Sequence, residues 1–462
     1  MKNYSFIKYI EVVGILFVGL LFFVWPIPHT TTIRISLIIL SLFIAIYLFV
    51  KQGSFSFKPL RELRIPLVLY FAFTVWICLL AIFISEKTFW SLDEINGQWL
   101  RGGMGIAIGA LFAYLPGRSP LPARKKIFVF IFWVLVLHTV LVVIQGVYKI
   151  WQSSEFFSQN LTFITRHTGG LLEGPIEAGC LIDILMSIVI VEIILRILYK
   201  KRFLPASNAL LVILSCLIIV ASYITGFRNF LELSALLFFA ACILFLSKSG
   251  FKKNPVRFII FIAVILSLNI SIFFLDERWQ NIFETMPLAF DTKAYAANEE
   301  NDYKDLPRLK SGERVNVSNY IRLAQFKEGL HVILGNPWGV GFGRDAFRHG
   351  IERTYGFQVG SHSDSGLINL TIGTGIVGLI LWIALILSLI VISFKRFITY
   401  KNYYALVLCF ICISYALRML IDPIIKDHKL HQFLFLVGLL AISMLIEGEA
   451  DSSEKAEEVP LL

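Results

Sequence analysis

The chain has 462 residues, of which 57% are hydrophobic and only 16% charged, with a mean hydropathy of +0.75. A soluble domain sits nearer 45–50% apolar and about 25% charged, so the composition excludes an ordinary soluble enzyme. The formal net charge of +10 does not indicate nucleic acid, because the basic residues fall in short clusters between apolar runs, the pattern of cytoplasmic loops in a membrane protein.

Apolar runs recur along the whole length, and each can cross a hydrocarbon core of about 30 Å as a helix. Backbone groups in lipid must be satisfied internally, and the two-residue alternation of a membrane barrel is absent, so the predicted fold is all-α: a polytopic membrane helical bundle of about twelve transmembrane helices. The predicted spans are 9–25, 33–50, 65–84, 103–116, 127–148, 177–198, 207–226, 230–247, 258–275, 366–394, 403–421 and 431–447. The first resembles a signal peptide in length, but it lacks a small-residue cleavage site and another apolar run follows at once. Run 103–116 is short for a bilayer and is expected to tilt or lie partly at the interface. The chain thus divides into 1–275 with spans one to nine, a polar block at 276–365, spans ten to twelve at 366–447, and an acidic tail at 448–462 that is expected to be cytoplasmic and disordered.

The clusters Lys58-Arg61-Arg64, Arg124-Lys125-Lys126, Lys200-Lys201-Arg202, Lys252-Lys253-Arg257 and Lys395-Arg396, with Lys2 and Lys8, place both ends of the chain in the cytoplasm. The opposite, outer face then receives 26–32, 85–102, 149–175, the turn at Arg228, the block 276–365 and 422–430. The cysteines lie inside or at the ends of apolar runs and read as small hydrophobes, Cys409-x-x-Cys412 included, so no disulfide framework is implied.

The polar block has its own pattern. Ser318 suits a helix N-cap, Leu323, Phe326, Leu330 and Ile333 follow at helical spacing, and Gly335-Asn336-Pro337 ends the helix. Trp338-Gly339-Val340-Gly341-Phe342-Gly343 is a glycine-rich loop, and a second short helix is expected over about 345–355. Asn298–Glu313 is polar and reads as a mobile loop. Gly373-Thr374-Gly375-Ile376-Val377-Gly378 matches a dinucleotide fingerprint, but it lies inside an apolar helix rather than after a strand, so small residues for close helix packing are the better reading.

Three residues stand out for chemistry. Arg228 sits between two apolar runs at the outer face, where the charge bias disfavours a cation; it either snorkels to the interface or binds phosphate, which a guanidinium grips through two parallel hydrogen bonds. Arg322 lies near the start of the block's helix, either as a solvated residue or as an anion donor. His362, in Gly360-Ser361-His362-Ser363-Asp364-Ser365-Gly366 at the mouth of the tenth span, either bonds at the helix start or accepts a proton from an attacking hydroxyl. Asp364 either orients that ring or caps the helix. Asp183 and Arg418 are expensive in lipid and should face the bundle interior; Arg418 either pairs with Asp183 or serves as another anion ligand. Metal chemistry has little support, Asp93-Glu94 being the outer acidic pair nearest to a divalent-ion site.

Taken together, Thr225-Gly226-Phe227-Arg228, then Asn319-Tyr320-Ile321-Arg322 running into Gly335-Asn336-Pro337-Trp338-Gly339-Val340-Gly341-Phe342-Gly343, then His362-Ser363 with Gly373 beyond, resemble the O-antigen ligase and polymerase family of bacterial membrane glycosyltransferases. Phe227 and Asn229 depart from the small residue and glycine that often flank the family's first arginine. The resemblance implies the glycosyltransferase C class, multi-pass placement in the bacterial inner (plasma) membrane, and an active site facing the periplasm. It implies a donor glycan on undecaprenyl diphosphate, a lipid A core acceptor, membrane lipid as surroundings, no nucleic acid, no cofactor and no metal. His362, Arg322 and Arg228 would be catalytic, and Arg228, Arg322 and Arg418 would bind substrate. The rivals are an O-antigen polymerase or a protein O-oligosaccharyltransferase using the same donor, and, from another class, a polysaccharide transporter or flippase, which the lack of a visible internal repeat disfavours.

Overall fold

The computed structural model describes residues 2–52, 58–115, 122–152, 168–172, 174–225, 227–246, 256, 259–260, 262–263, 266–267, 282–291, 306–356 and 363–457. The helices run in order α1 (Lys2–Val24), α2 (Thr31–Gln52), α3 (Lys58–Glu62), α4 (Arg64–Phe83), α5 (Thr88–Glu94), α6 (Arg101–Tyr114), α7 (Ala123–Gln152), α8 (Pro175–Tyr199), α9 (Asn208–Thr225), α10 (Phe227–Leu246), α11 (Ile282–Ala289), α12 (Val317–Gly335), α13 (Ala346–Tyr355), α14 (Gly366–Tyr400), α15 (Tyr403–Ile421) and α16 (Asp427–Glu457). Among the described residues, 9 helices are long and apolar enough to cross a membrane. Each predicted span falls on a helix except 258–275, which lies largely outside the described residues.

The predicted boundaries need correction in two places. Residues 85–102, expected on the outer face, are helical from Thr88 onward. α5 continues through a single π-helical stretch, Ile95–Leu100, into α6, so the short fourth span is the end of a longer rod. The acidic tail is helical as far as Glu457. α16 enters it already formed and meets no proline, so each further residue extends an existing helix rather than nucleating a new one.

Burial separates the bundle's centre from its rim. The spans of α16, α8 and α15 are 89%, 83% and 72% buried, against 28% for α2 and α4. The rim turns Phe43, Phe71 and Phe83 outward, a surface that water would disfavour and hydrocarbon accepts. The centre closes by backbone approach. A Cβ added at Gly109 of α6 would lie 2.4 Å from the Phe435 carbonyl oxygen, and one at Gly438 of α16 would lie 2.3 Å from that of Ile106. With lipid as solvent, such close contact takes the place of hydrophobic burial in holding helices together.

Ion pairs mark both ends of the bundle. At one end Lys126 meets Glu11 at 3.3 Å, and Arg396 pairs with Glu62. At the other, Lys429 meets Glu177 at 2.6 Å and Arg344 meets Glu94 at 2.8 Å. The basic clusters at 124–126 and 395–396 belong to the first end. The six cysteines are all free thiols.

Candidate functional site

α12 begins two residues earlier than its sequence suggests. Asn316, not Ser318, is the N-cap, its side chain accepting from the Asn319 amide. The apolar stripe docks only in part: Ile333 is buried and Leu323 packs against Tyr320 and Ala324, but Phe326 and Leu330 are exposed. The buried face carries Tyr320, Ala324, Gln325, Glu328, Gly329 and Val332. Gly329 decides this orientation, because a Cβ there would sit 2.4 Å from Ile368 of α14. The buried polar groups each have a partner: Gln325 accepts from the Asp364 amide at 2.9 Å, and the Tyr355 hydroxyl donates to Glu328 at 2.6 Å. Burial raises the Glu328 carboxyl above its ordinary pKa.

The glycine-rich loop locks this unit onto α14. Inside α14, Gly375 has φ +69° and ψ −178°, so the helix is broken there, in a region of backbone space open essentially to glycine alone. A break within a membrane span frees backbone groups that must find partners. The loop supplies them. Val340 and Gly341 amides donate to the Ile372 and Gly373 carbonyls at 3.0 Å each, and the Ile376 amide donates to Pro337 at 2.9 Å. Trp76 of α4 donates its indole N–H to the Thr374 carbonyl at 2.7 Å. The fingerprint-like glycines therefore serve close packing as expected, but against a loop at a helix break. The predicted second short helix is α13, closed by Gly356 at φ +79°. Its His349 and Glu352 meet Lys87 from the start of α5, at 2.9 and 2.6 Å, and burial, with Lys87 second, lowers the His349 pKa.

These contacts set Arg322 against the mouth of α14. Its Nε lies 2.9 Å from the Asp364 carboxylate, both side chains being about a third exposed (32% and 31%). Asp364 is thus the arginine's partner, and the N-cap of α14 is Ser365. Ser363 is held as firmly: Asn369 accepts from its amide at 3.1 Å and donates to its carbonyl at 2.9 Å. His362, the residue before it, lies outside the described residues, as do residues 298–305 of the expected mobile loop; 306–314 form a tight turn closed by an Arg308–Arg314 bridge.

Arg228 lies in the first turn of α10; its side chain is outside the described residues. One turn on, Glu232 accepts from Ser414 and lies 3.8 Å from Arg418. Arg418 is 3% exposed and also meets Asp183 at 3.0 Å and Asp422 at 2.6 Å. The Asp183 pairing is therefore formed, and the guanidinium is enclosed by carboxylates of the protein. Asp422 in turn accepts from the Gly366 amide at 3.0 Å. A continuous chain of contacts thus runs from the start of α10 through Arg418 and Asp422 to Gly366, Asp364 and Arg322, all at one end of the bundle.

Sequence reasoning missed the other half of this end. Arg344, next after the glycine-rich loop, grips Glu94 and reaches Asp427 at 3.2 Å; the Glu94 bond raises its pKa further. Glu94 is thus occupied, which leaves the Asp93-Glu94 pair ill suited to a divalent ion. Among the described residues no group of three histidine, cysteine or acidic side chains could hold a metal. Beside Arg344 opens a cleft of about 650 Å³, lined by residues of α2, α5, α6, α8, the connection 423–426 and the first turns of α16. Its sequence signal was present: Lys426-Asp427-His428-Lys429 is a charged run between two spans at the face where cations are disfavoured.

The O-antigen ligase family model matches residues 230–383, a stretch holding most of α10, the polar block with α12 and α13, and the first half of α14. No curated protein matches the chain. Residues 230–383 are thus similar to the O-antigen ligase family, and they are carried in an all-α polytopic membrane bundle.

Proposed function

We propose that the protein is an O-antigen ligase: it transfers a glycan from undecaprenyl diphosphate to a sugar hydroxyl of lipid A core at the periplasmic face of the inner membrane. The observation that carries this is the Arg322–Asp364 contact, which holds a guanidinium beside the residues that follow His362. A polyprenyl diphosphate keeps its tail in lipid and presents its phosphates at the interface. Arg322, with Arg228, receives that diphosphate and stabilises the negative charge that grows on it as the glycosidic bond breaks. His362 takes the proton of the acceptor hydroxyl as it attacks the anomeric carbon from the opposite face, giving inversion. The guanidinium groups meet the diphosphate charge in place of a metal, so the reaction is metal-independent, and the donor bond supplies the driving force. Arg418 takes a positioning role, since its charge is already met by Asp183, Glu232 and Asp422; it holds Asp422 against Gly366.

The test is deletion of the gene followed by complementation. Loss of polymer-capped lipid A core, with lipid-linked polymer accumulating, is expected. Capping by single repeats would assign the protein to polymerisation instead, and unchanged envelope glycans would refute the reading. In a purified system His362→Ala should abolish transfer while retaining donor binding, Arg322→Ala should weaken donor use, and Arg322→Lys should rescue poorly because a lysine cannot form the paired bond.

A further inference from the structure

The cleft beside Arg344 lies at the same end of the bundle as Arg322. Arg34, Arg101, Arg344, Lys426 and Lys429 face it, against the carboxylates of Asp93, Glu177 and Asp427. Arg344 and Lys429 are engaged by Glu94, Asp427 and Glu177. Neither Arg101 nor Lys426 forms a salt bridge with a described residue. Both are only half-buried, but burial, with Lys429 next, already lowers the Lys426 pKa. An anion placed in the cleft would offset that cost.

A second observation points the same way. His428 is 7% exposed, and its Nε2 is buried with no hydrogen-bond partner. Buried polar nitrogens are rarely left unmet. The wall also contains the π-helical stretch Ile95–Leu100, from which Gln98 donates to Asp427 and accepts from its amide. Such stretches cost regular hydrogen bonding and recur at functional sites. The cleft is built between membrane-crossing helices α2, α8 and α16 at their ends, so its occupant is an amphiphile whose headgroup rests at the interface. Arg322, proposed for the donor, is not among its lining residues.

We propose that this cleft binds a phosphate on the headgroup of the acceptor lipid, through Arg101, Lys426 and His428, as a site separate from that of the donor diphosphate. This rests on the transfer reaction proposed above. Holding the acceptor by a charged group remote from the reacting hydroxyl positions that hydroxyl without involving the departing diphosphate.

The experiment compares phosphorylated lipid A core with the same glycolipid after phosphatase treatment, using the full chain in phosphatidylcholine nanodiscs. Binding is measured without donor, so it is read whether or not transfer occurs. Dephosphorylation, or the double variant Arg101→Ala/Lys426→Ala, should weaken binding at least tenfold, about 1.4 kcal/mol, because a charge-assisted bond is lost. The two effects should not add. Arg101→Lys, which keeps the charge, should recover part of the affinity and controls for misfolding. Undecaprenyl diphosphate binding is measured in parallel. Equal binding of both glycolipids by the wild-type protein would overturn the proposal. Loss of undecaprenyl diphosphate binding alone in the double variant would reassign the cleft to the donor and overturn it too. Phosphate-dependent glycolipid binding without any transfer would leave the cleft standing and refute the reaction instead.

Discussion

Gly375→Ala tests the link between the helix break and the site. At φ +69°, ψ −178° an alanine is strained by about 1–3 kcal/mol. Its Cβ would also lie 2.4 Å from the Trp338 carbonyl carbon and 2.6 Å from the Pro337 oxygen. Those are backbone atoms and cannot swing aside, so the loop must lift off α14. Lifting it releases the bonds from Val340, Gly341 and Ile376, each worth about 0.5–1.5 kcal/mol net. The combined loss is roughly 2.5–7.5 kcal/mol, a large part of the about 5–15 kcal/mol that holds a typical domain folded. Gly335→Ala is the matched control. Nothing lies within 4 Å of a Cβ there, and alanine in a helix is favoured over glycine by about 0.5–1 kcal/mol. Thermal unfolding in one detergent should therefore show Gly375→Ala several degrees below wild type and Gly335→Ala at or above it. Limited proteolysis should open the former at 337–343. If the two variants melt together and resist protease equally, the break is not braced by the loop and the argument fails.

Asp364→Asn should leave Tm almost unchanged, because a pair a third exposed contributes about 0–1 kcal/mol, yet it should lower transfer by releasing Arg322; Glu352→Gln, which removes a comparable partner from Lys87, serves as the control that keeps activity. Arg418→Ala should cost about 3–5 kcal/mol by leaving three carboxylates buried without their cation, read as loss of folded protein in membranes. For Glu328, the folded pKa is raised above the unfolded one, so wild type binds the proton more readily when folded and loses stability as pH rises from the unfolded value through the folded one. Glu328→Gln should thus gain in Tm over wild type between pH 4 and pH 7, while keeping an acceptor for Tyr355; a pH-independent difference would contradict the assignment.

Hydropathy alone delivered the all-α membrane bundle, because an apolar run of sufficient length has no other way to satisfy its backbone in lipid. Local chemistry was nearly as readable. Gly335-Asn336-Pro337 ends α12 and Gly356 ends α13 because chain termination depends on residues within one turn. The context of Gly373–Gly378 was enough to reject a nucleotide loop. Sequence periodicity found only part of the docking face of α12: Ile333 and Leu323 pack inward, Phe326 and Leu330 do not, and Gly329, Gln325 and Glu328 are the residues whose partners lie on α13 and at the start of α14. The break at Gly375 was equally hidden, since it depends on a loop distant in sequence that arrives with amide groups to spare. The Arg344–Glu94–Asp427 network and the cleft beside it bring together residues from α2, α5, α6, α8 and α16 with the loop at Arg344. Spacing along the chain encodes which face a residue shares with its neighbours on the same helix; which charge it meets on another helix is settled only when the bundle closes.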